Sequence, residues 1–209
     1  MKPNKPQFNR RTRSYMRIVD TVSTLQRFLI VCEGKKTEPL YFEQFRAPGL
    51  VVKVEGIGMN TISLVKEALR LRDEGNYDQV WCVFDKDDFE QFDDAIQLAR
   101  REGMKVAYSN QAFELWYVLH FCFMQNALER AAYIKMLGKK EFLGFKYEKN
   151  NPQIYELLLP KISIAIKNSR KLLKEYKKSR TSFGDPSTTV HELVVELIEH
   201  AKLISERLK

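Results

Sequence analysis

The sequence FLIVCEGKKTEP, residues 28–39, contains the feature that decides the fold: an apolar run that stops abruptly at an acidic residue and a glycine. Five consecutive apolar residues are too few for a core helix, but they suit a β-strand buried on both faces. Glu33 and Gly34 end this run, and Thr37 with Pro39 marks the start of a helix. A buried strand followed directly by a helix is typical of the first unit of a parallel α/β sheet.

The alternation of strand and helix continues to about residue 110. Short apolar or β-branched runs predict further strands at 51–54, 80–84 and 105–108. Between them, apolar residues recur every three to four positions, which predicts helices at 61–72 and 89–101. We therefore predict an α/β domain with a mainly parallel four-stranded sheet flanked by helices, with right-handed crossovers. No strand is predicted after residue 110.

The chain divides into three segments on this pattern. Residues 1–25 are polar and aperiodic and are predicted to be a flexible basic arm. Residues 26–125 are predicted to form the α/β domain, and residues 126–209 a helical region packed on it. The apolar stretch 112–124 is predicted to be a buried helix. In the third segment we predict a loop at 138–151 and helices at 152–178 and 188–209, the last capped by Ser187 or Thr188.

Composition excludes several classes of protein. The chain has 209 residues, 24.6 kDa and 44% hydrophobic residues, which is enough for one full core. Its apolar runs are far shorter than the roughly 20 residues that span a bilayer, and no apolar stretch follows the basic N-terminus as in a signal peptide. The three cysteines are scattered in apolar surroundings, which indicates reduced core thiols. We expect a cytoplasmic protein without membrane association or structural zinc.

Positive charge is concentrated in two segments. Residues 1–17 carry six basic and no acidic residues, and residues 161–180 carry eight basic residues and one acid, whereas the whole chain has a net charge of only +8. Clustered basic residues favour a polyanionic partner such as nucleic acid, although a disordered tail and a solvated helix face would give the same pattern. Four lysines would form one stripe about 16 Å long on the predicted helix: Lys167, Lys171, Lys174 and Lys178.

Acidic residues follow two of the predicted strands. Glu33 follows the first, and Asp85, Asp87 and Asp88 follow the third. Ligands of open parallel sheets bind outside the carboxyl ends of the strands, where these side chains would meet. Carboxylates without His or Cys select a hard cation, Mg²⁺ or Mn²⁺. Asp85 and Asp87 alternate and can reach one ion, whereas Asp88 points elsewhere; alternatively, Asp87 or Asp88 caps the next helix.

Other polar residues at the same sheet edge have two interpretations each. Lys35 and Lys36 could contact a phosphate oxygen or could be solvated loop lysines. Asn110 and Glu114 could face the crevice, or could cap the following helix and interact with its dipole. His120 is interpreted as a packed core histidine.

An apolar strand followed by Glu33-Gly34, and some fifty residues later another followed by Asp85-Lys86-Asp87, resembles the Toprim domain, the metal-binding module of topoisomerases, primases and OLD-family nucleases. Four wider elements occur in order: VCEGKKTEPLYF at 31–42, VFDKD at 83–87, SNQAFELW at 109–116 and STTV at 187–190. Together they resemble the RloB-like family. The resemblance implies a Mg²⁺-dependent phosphotransfer site in a family linked to prokaryotic restriction and phage defence. It implies that Glu33 is a general acid or base and that Asp85 and Asp87 bind the metal. In the OLD-type motif, the second acid stands four residues after the glutamate, at Thr37 here, and Glu38 comes one residue later.

The resulting hypothesis is a Toprim-type nuclease acting on DNA or RNA in antiphage defence through abortive infection. Its catalytic residues are Glu33, Asp85 and Asp87, with Glu38, Asp88 and Glu114 as further metal-ligand candidates and Lys35, Lys36 and the four-lysine stripe as nucleic-acid contacts. The rival hypothesis is a non-catalytic nucleic-acid or nucleotide sensor in a defence complex. Because the chain has no Walker loop, any nucleotide-driven step would need a separate ATPase subunit. Homo-oligomerisation is compatible with either hypothesis.

Overall fold

A five-stranded, mainly parallel sheet organises the computed structural model, which describes residues 26–47, 50–58, 60–86, 91–179 and 184–207. The strand order is β2-β1-β3-β4-β5, with the first four strands parallel and β5 antiparallel to β4. The strands are β1 (Gln26–Cys32), β2 (Leu50–Gly56), β3 (Gln79–Asp85), β4 (Lys105–Asn110) and β5 (Ser187–Thr188). The predicted α/β fold class, with a parallel sheet flanked by helices and a helical C-terminal region, is confirmed.

Helices follow the strands in the predicted alternation and then form the C-terminal region. They are α1 (Thr37–Phe42), α2 (Thr61–Glu74), α3 (Phe92–Arg101), α4 (Glu114–Val118), α5 (Arg130–Leu137), α6 (Gln153–Leu158), α7 (Ile162–Ser179) and α8 (Val190–Arg207). No helix in the described ranges is both long enough and apolar enough to cross a lipid bilayer. Residues 1–25, predicted to be a flexible basic arm, lie outside the residues that the structure describes.

Two hydrophobic layers cover the two faces of the sheet. Phe28 and Ile30 of β1 face a large cluster that includes residues of α1, α4, α5, α7 and α8, while Leu29 and Val31 face a second cluster built with α2 and α3. Because side chains alternate along a strand, a strand buried on both faces must be apolar at every position. This requirement explains the uninterrupted apolar run at 28–32.

The structure differs from the predicted elements in four places. Helix α5 (Arg130–Leu137) lies where no element was predicted. The predicted four-stranded sheet has a fifth strand, β5, whose two residues are too few to produce a periodic pattern. The predicted helix at 152–178 is divided by a 3₁₀ turn at Leu159–Lys161, because Pro160 supplies no backbone N–H to an α-helix. The predicted helix at 112–124 is α-helical only at Glu114–Val118; beyond it Leu119 is buried, and the apolar residues at 121–124 are partly buried.

The C-terminal region shares its core with the sheet. Val190, Leu193 and Leu197 of α8 belong to the same buried cluster as Phe28 of β1. The start of α8 is anchored to the sheet edge, because the Thr188 hydroxyl accepts the backbone N–H of Val190 at 3.2 Å and donates to the carbonyl of Tyr108 at 3.0 Å. Thr188 therefore provides the cap that the sequence predicted, and it fastens the last helix to β4.

Candidate functional site

The carboxyl ends of β1 and β3 bring two of the predicted acidic residues together. The two strands pair in parallel with Cys32 opposite Val83, so Glu33 and Asp85 leave the sheet at the same edge. The backbone N–H of Asp85 donates to Oε2 of Glu33 at 3.2 Å, and the N–H of Glu33 donates to the carbonyl of Val83 at 2.9 Å. The expected meeting of Glu33 and Asp85 is therefore observed, while Asp87 and Asp88 lie outside the described residues.

A cavity of about 330 Å³ opens beside these two carboxylates. It is bounded by the loop after β1, the end of β3 and the first residues of α4 and α5. Among the described residues, its wall contains four acidic and four basic side chains: Glu33, Glu38, Asp85 and Glu114, and Lys35, Lys36, Arg130 and Lys149. The cavity therefore offers ligands for a cation and contacts for an anion side by side.

Arg130 is the nearest basic partner of the acidic pair among the residues whose contacts are described. Its Nη2 atom lies 3.0 Å from Oδ2 of Asp85, whose side chain is only 11% exposed. Arg130 is the first residue of α5, and Lys149 lies in the loop before α6. Sequence reasoning missed both residues, since neither stands near a strand end or inside a recognised motif.

Glycines allow the loop after β1 to pass close to its neighbours. A Cβ atom on Gly34 would collide with the carboxylate of Glu38, and one on Gly56 would lie 2.7 Å from the carbonyl oxygen of Gly34. Gly58 has a φ of +63°, and its N–H donates to the carbonyl of Glu33 at 2.8 Å. The Gly56–Gly58 turn therefore supports the loop that carries Glu33, and a side chain at Gly56 or at Gly58 is disfavoured.

Two further carboxyl groups form the floor of the cavity. Glu38 is 6% exposed and Glu114 is 2% exposed, and the hydroxyl of Tyr147 donates to Oε1 of Glu114 at 3.0 Å. Burial raises the pKa of Glu38, and the charge of Glu114 raises it further, while Lys149 and Arg130 act in the opposite direction. Glu38 thus retains its proton to a higher pH than an exposed glutamate does.

The raised pKa of Glu38 predicts a pH-dependent stability. In the absence of divalent ions, the native protein should lose stability as pH rises from the ordinary pKa of glutamate through the raised pKa of Glu38. Over this range the unfolded chain releases the Glu38 proton more readily than the native state does. Glu38→Gln removes this titration. We expect the variant to have a higher melting temperature than wild type at pH 7 and the same melting temperature at about pH 4, measured by thermal unfolding in EDTA. An equal difference at both pH values would contradict this assignment.

The predicted nucleic-acid contacts lie at two places. Lys35 and Lys36 are at the rim of the cavity. Lys167, Lys171 and Lys174 lie on α7, and Nζ of Lys171 is 3.9 Å from the ring centroid of Phe123. Lys178 belongs to the same helix, but its side chain lies outside the described residues.

Asn110 and His120 have structural roles. Asn110 does not cap α4; its side chain donates from Nδ2 to the carbonyl of Gly184 at 3.0 Å and thereby ties β4 to the segment before β5. His120 is fully buried, and burial lowers its pKa to about 4. It is therefore neutral at physiological pH and packs against Trp116, with ring centroids 4.8 Å apart.

The cavity has the donor chemistry of a hard-cation site. Glu33 and Asp85 supply carboxylate oxygens, no cysteine or histidine lines the cavity wall in the described part of the chain, and hard divalent ions select oxygen ligands. Within the described ranges, no group of three or more His, Cys, Asp or Glu side chains is arranged to hold an ion. The carboxylates of Glu33 and Asp85 are suitable ligands for such an ion. Asp87, the predicted third ligand, lies outside the described residues.

Comparison with protein families gives a match over most of the chain. The family model described as "RloB-like protein" matches residues 28–197, a range that contains the residues lining the cavity, helices α1 to α7 and the start of α8. Neither the curated proteins nor the solved structures contain a match to this chain.

Proposed function

This chain belongs to the RloB-like protein family, and on that premise we propose that it is a Mg²⁺- or Mn²⁺-dependent Toprim-type nuclease that cleaves phosphodiesters of DNA or RNA. The observation that supports the proposal most directly is the contact between Glu33 and the end of β3, where Asp85 stands, inside a cavity that also contains four basic side chains. An acid for proton transfer, oxygen ligands for a cation and basic contacts for phosphate are the components that phosphodiester hydrolysis requires.

The side chains divide these tasks. Glu33 accepts or delivers a proton at the reacting strand, and Asp85 with Asp87 supplies the carboxylates that would hold the ion. A bound Mg²⁺ would neutralise charge that develops on the phosphate and would lower the pKa of a coordinated water. Arg130, Lys35 and Lys149 line the same cavity as the acids and would contact nonbridging phosphate oxygens, with Arg130 offering a planar fork that suits two of them.

The lysines of α7 provide the proposed binding surface for the nucleic-acid backbone. Tyr176 of α7 packs against Gly184, just before β5, which pairs with the end of β4. The last turns of α7 therefore approach the same edge of the sheet as the cavity. A strand bound along Lys167, Lys171 and Lys174 would run toward the proposed site.

Salt dependence tests this surface. We expect the affinity for nucleic acid to fall steeply with salt, and simultaneous reversal of Lys167, Lys171, Lys174 and Lys178 to glutamate to flatten the slope by about 0.9 for each phosphate that the protein no longer neutralises. The measurement is fluorescence anisotropy of a labelled strand over a range of salt concentrations. Reversal of four exposed lysines outside α7 is the matched control: Lys66, Lys139, Lys140 and Lys202. An unchanged slope in the α7 variant would assign this face to protein contacts.

A second candidate function is a sensor or partner subunit that binds nucleic acid or a nucleotide without turnover. The ion pair between Arg130 and Asp85 favours it, because a carboxylate neutralised by a guanidinium is a weaker metal ligand. In that case a separate ATPase subunit would supply any nucleotide-driven step.

The deciding experiment is a cleavage assay with purified protein. Single- and double-stranded DNA and total RNA are incubated with Mg²⁺, Mn²⁺ or EDTA, and the products are resolved by length. Divalent-dependent shortening of one substrate supports the nuclease. Stable binding of a strand without cleavage under every metal condition favours the sensor.

We further propose that the activity serves antiphage defence by abortive infection in the cytoplasm. The support is membership of the family, which the sequence resemblance links to phage-defence loci. The test is phage infection of bacteria that express the chain, alone and with its neighbouring genes. Death of infected cells before phage release, abolished by Asp85→Asn, is the expected outcome; unchanged phage yield would count against it.

A further inference from the structure

β2 is the outermost strand on one side of the sheet. Among the described strands it pairs only with β1, and the bond described on its outer side is that of the Leu50 N–H, which donates to the carbonyl of Ala47 at 3.1 Å at the start of the strand. Val51 is 38% exposed there. A seven-residue strand at a sheet edge can add a further strand through its outward-pointing backbone groups.

Hydrogen bonding to β1 determines which backbone groups point outward. The N–H of Ile57 donates to the carbonyl of Cys32, so Ile57 faces β1. Backbone groups alternate in direction along a strand, so Val51, Lys53 and Glu55 also face β1. The N–H and C=O groups of Val52, Val54 and Gly56 therefore point away from the sheet.

Two opposite charges lie on the exposed face of the same strand. Nζ of Lys53 is 3.3 Å from Oε1 of Glu55, and both side chains are more than one-third exposed. Two copies of β2 that meet antiparallel around a two-fold axis can centre on Lys53, Val54 or Glu55. Centring on Lys53 places that lysine opposite itself, and centring on Glu55 places the glutamate opposite itself. Centring on Val54 places each Lys53 opposite Glu55 of the partner subunit.

We propose that β2 pairs antiparallel with β2 of a second copy of this chain, centred on Val54. In this register Val54 exchanges both backbone hydrogen bonds with Val54 of the partner subunit, and Val52 exchanges both with Gly56 of the partner subunit. The outward-pointing groups are thus the ones that bond. The opposite charges form two symmetric cross-strand pairs, and two five-stranded sheets become one.

A second copy suits this edge better than the chain's own N-terminal segment. Residues 1–25 precede Gln26, which lies opposite Leu50 at the start of β2. They contain six basic residues and one acid, Asp20, so most of their charges would repel Lys53. A copy of β2 offers complementary charges at both positions.

The pairing also bears on the candidate site. Gly56 would be held by the partner strand, and it begins the turn whose Gly58 N–H supports the carbonyl of Glu33. Association would therefore steady the loop that carries Glu33. The dimer itself does not depend on the nuclease proposal, because it rests on β2 alone.

The test is the mass of the full chain in solution, measured by sedimentation equilibrium up to the solubility limit. Wild type should form a dimer of twice 24.6 kDa. Lys53→Glu and Glu55→Lys should each raise the dissociation constant about tenfold, because each creates two like-charge pairs. The double variant Lys53→Glu, Glu55→Lys should restore wild-type affinity, and an equimolar mixture of the two single variants should form heterodimers.

A proline substitution tests the backbone contact separately. Val54→Pro removes an N–H that points outward and spares the bonds to β1, whereas Glu55→Pro removes a group that faces β1. We expect Val54→Pro to be monomeric with an unchanged circular dichroism spectrum. A monomeric wild type would overturn the proposal, and so would a dimer that none of these changes weakens. If a monomeric wild type dimerises after deletion of residues 1–25, that segment rather than a second copy occupies the edge.

Discussion

Asp85→Asn should lower the rate of Mg²⁺-dependent cleavage at least about 100-fold while nucleic-acid affinity stays within about twofold. The substitution keeps the shape of the side chain and removes the negative charge that would hold the ion. Most of the proposed binding surface for the phosphate backbone lies on α7, so affinity should depend little on that charge. Cleavage is measured on the substrate identified in the assay above, and affinity by anisotropy in EDTA.

Asp94→Asn provides the matched control for this variant. Asp94 is exposed in the first turn of α3, and the same chemical change there should leave cleavage unaltered. Similar cleavage by Asp85→Asn and wild type would show that the catalytic ion is held elsewhere. In EDTA, Asp85→Asn should bind nucleic acid as tightly as wild type or up to about twofold more tightly. The variant lacks the carboxylate that repels phosphate, and Arg130 loses its acidic partner.

Gly56→Ala should combine loss of stability with loss of activity. The new methyl group would lie 2.7 Å from the carbonyl oxygen of Gly34 and 2.7 Å from Cγ of Pro39, neither of which belongs to a flexible side chain. Crowding of this kind costs about 1–3 kcal/mol, and the loop must move to relieve it. Because the same loop carries Glu33, we expect at least about a tenfold loss of cleavage, measured together with urea unfolding.

Gly138→Ala is the control for the glycine variant. A Cβ atom at Gly138 would meet nothing closer than 3.7 Å, and its φ of −71° suits any residue. Stability within about 0.5 kcal/mol of wild type is expected. If Gly56→Ala were equally harmless, the close approach between β2 and the Glu33 loop would not exist in solution.

The sheet and its acidic edge were predictable because they depend on local patterns. Apolar runs such as 28–32 and 80–84 identify strands that are buried on both faces, and parallel strands end at one edge. The meeting of Glu33 with the end of β3 follows from those two facts. Thr188 was predictable as a cap because a hydroxyl residue stands directly before the periodic pattern of the last helix.

The opposite wall of the cavity was not predictable in the same way. Arg130 begins a short helix and Lys149 lies in a loop, and no local pattern states which edge of the sheet these segments cover. Their positions result from packing, since Tyr133 and Leu137 of α5 are buried in the cluster on that face. Tyr147 reaches Glu114 for the same reason. Tertiary contacts, rather than spacing, bring these groups to the site.

The short strand β5 has a consequence for synthesis of the protein. The hydroxyls of Ser109 and Thr188 are hydrogen-bonded at 3.0 Å although the two residues are 79 positions apart. A nascent chain on the ribosome therefore has an open edge on β4 until the C-terminal segment has emerged. Until then one face of the sheet also lacks Val190 and Leu193. A product truncated before residue 187 would leave uncovered the part of the apolar cluster that α8 buries, which makes it a substrate for chaperones and proteases.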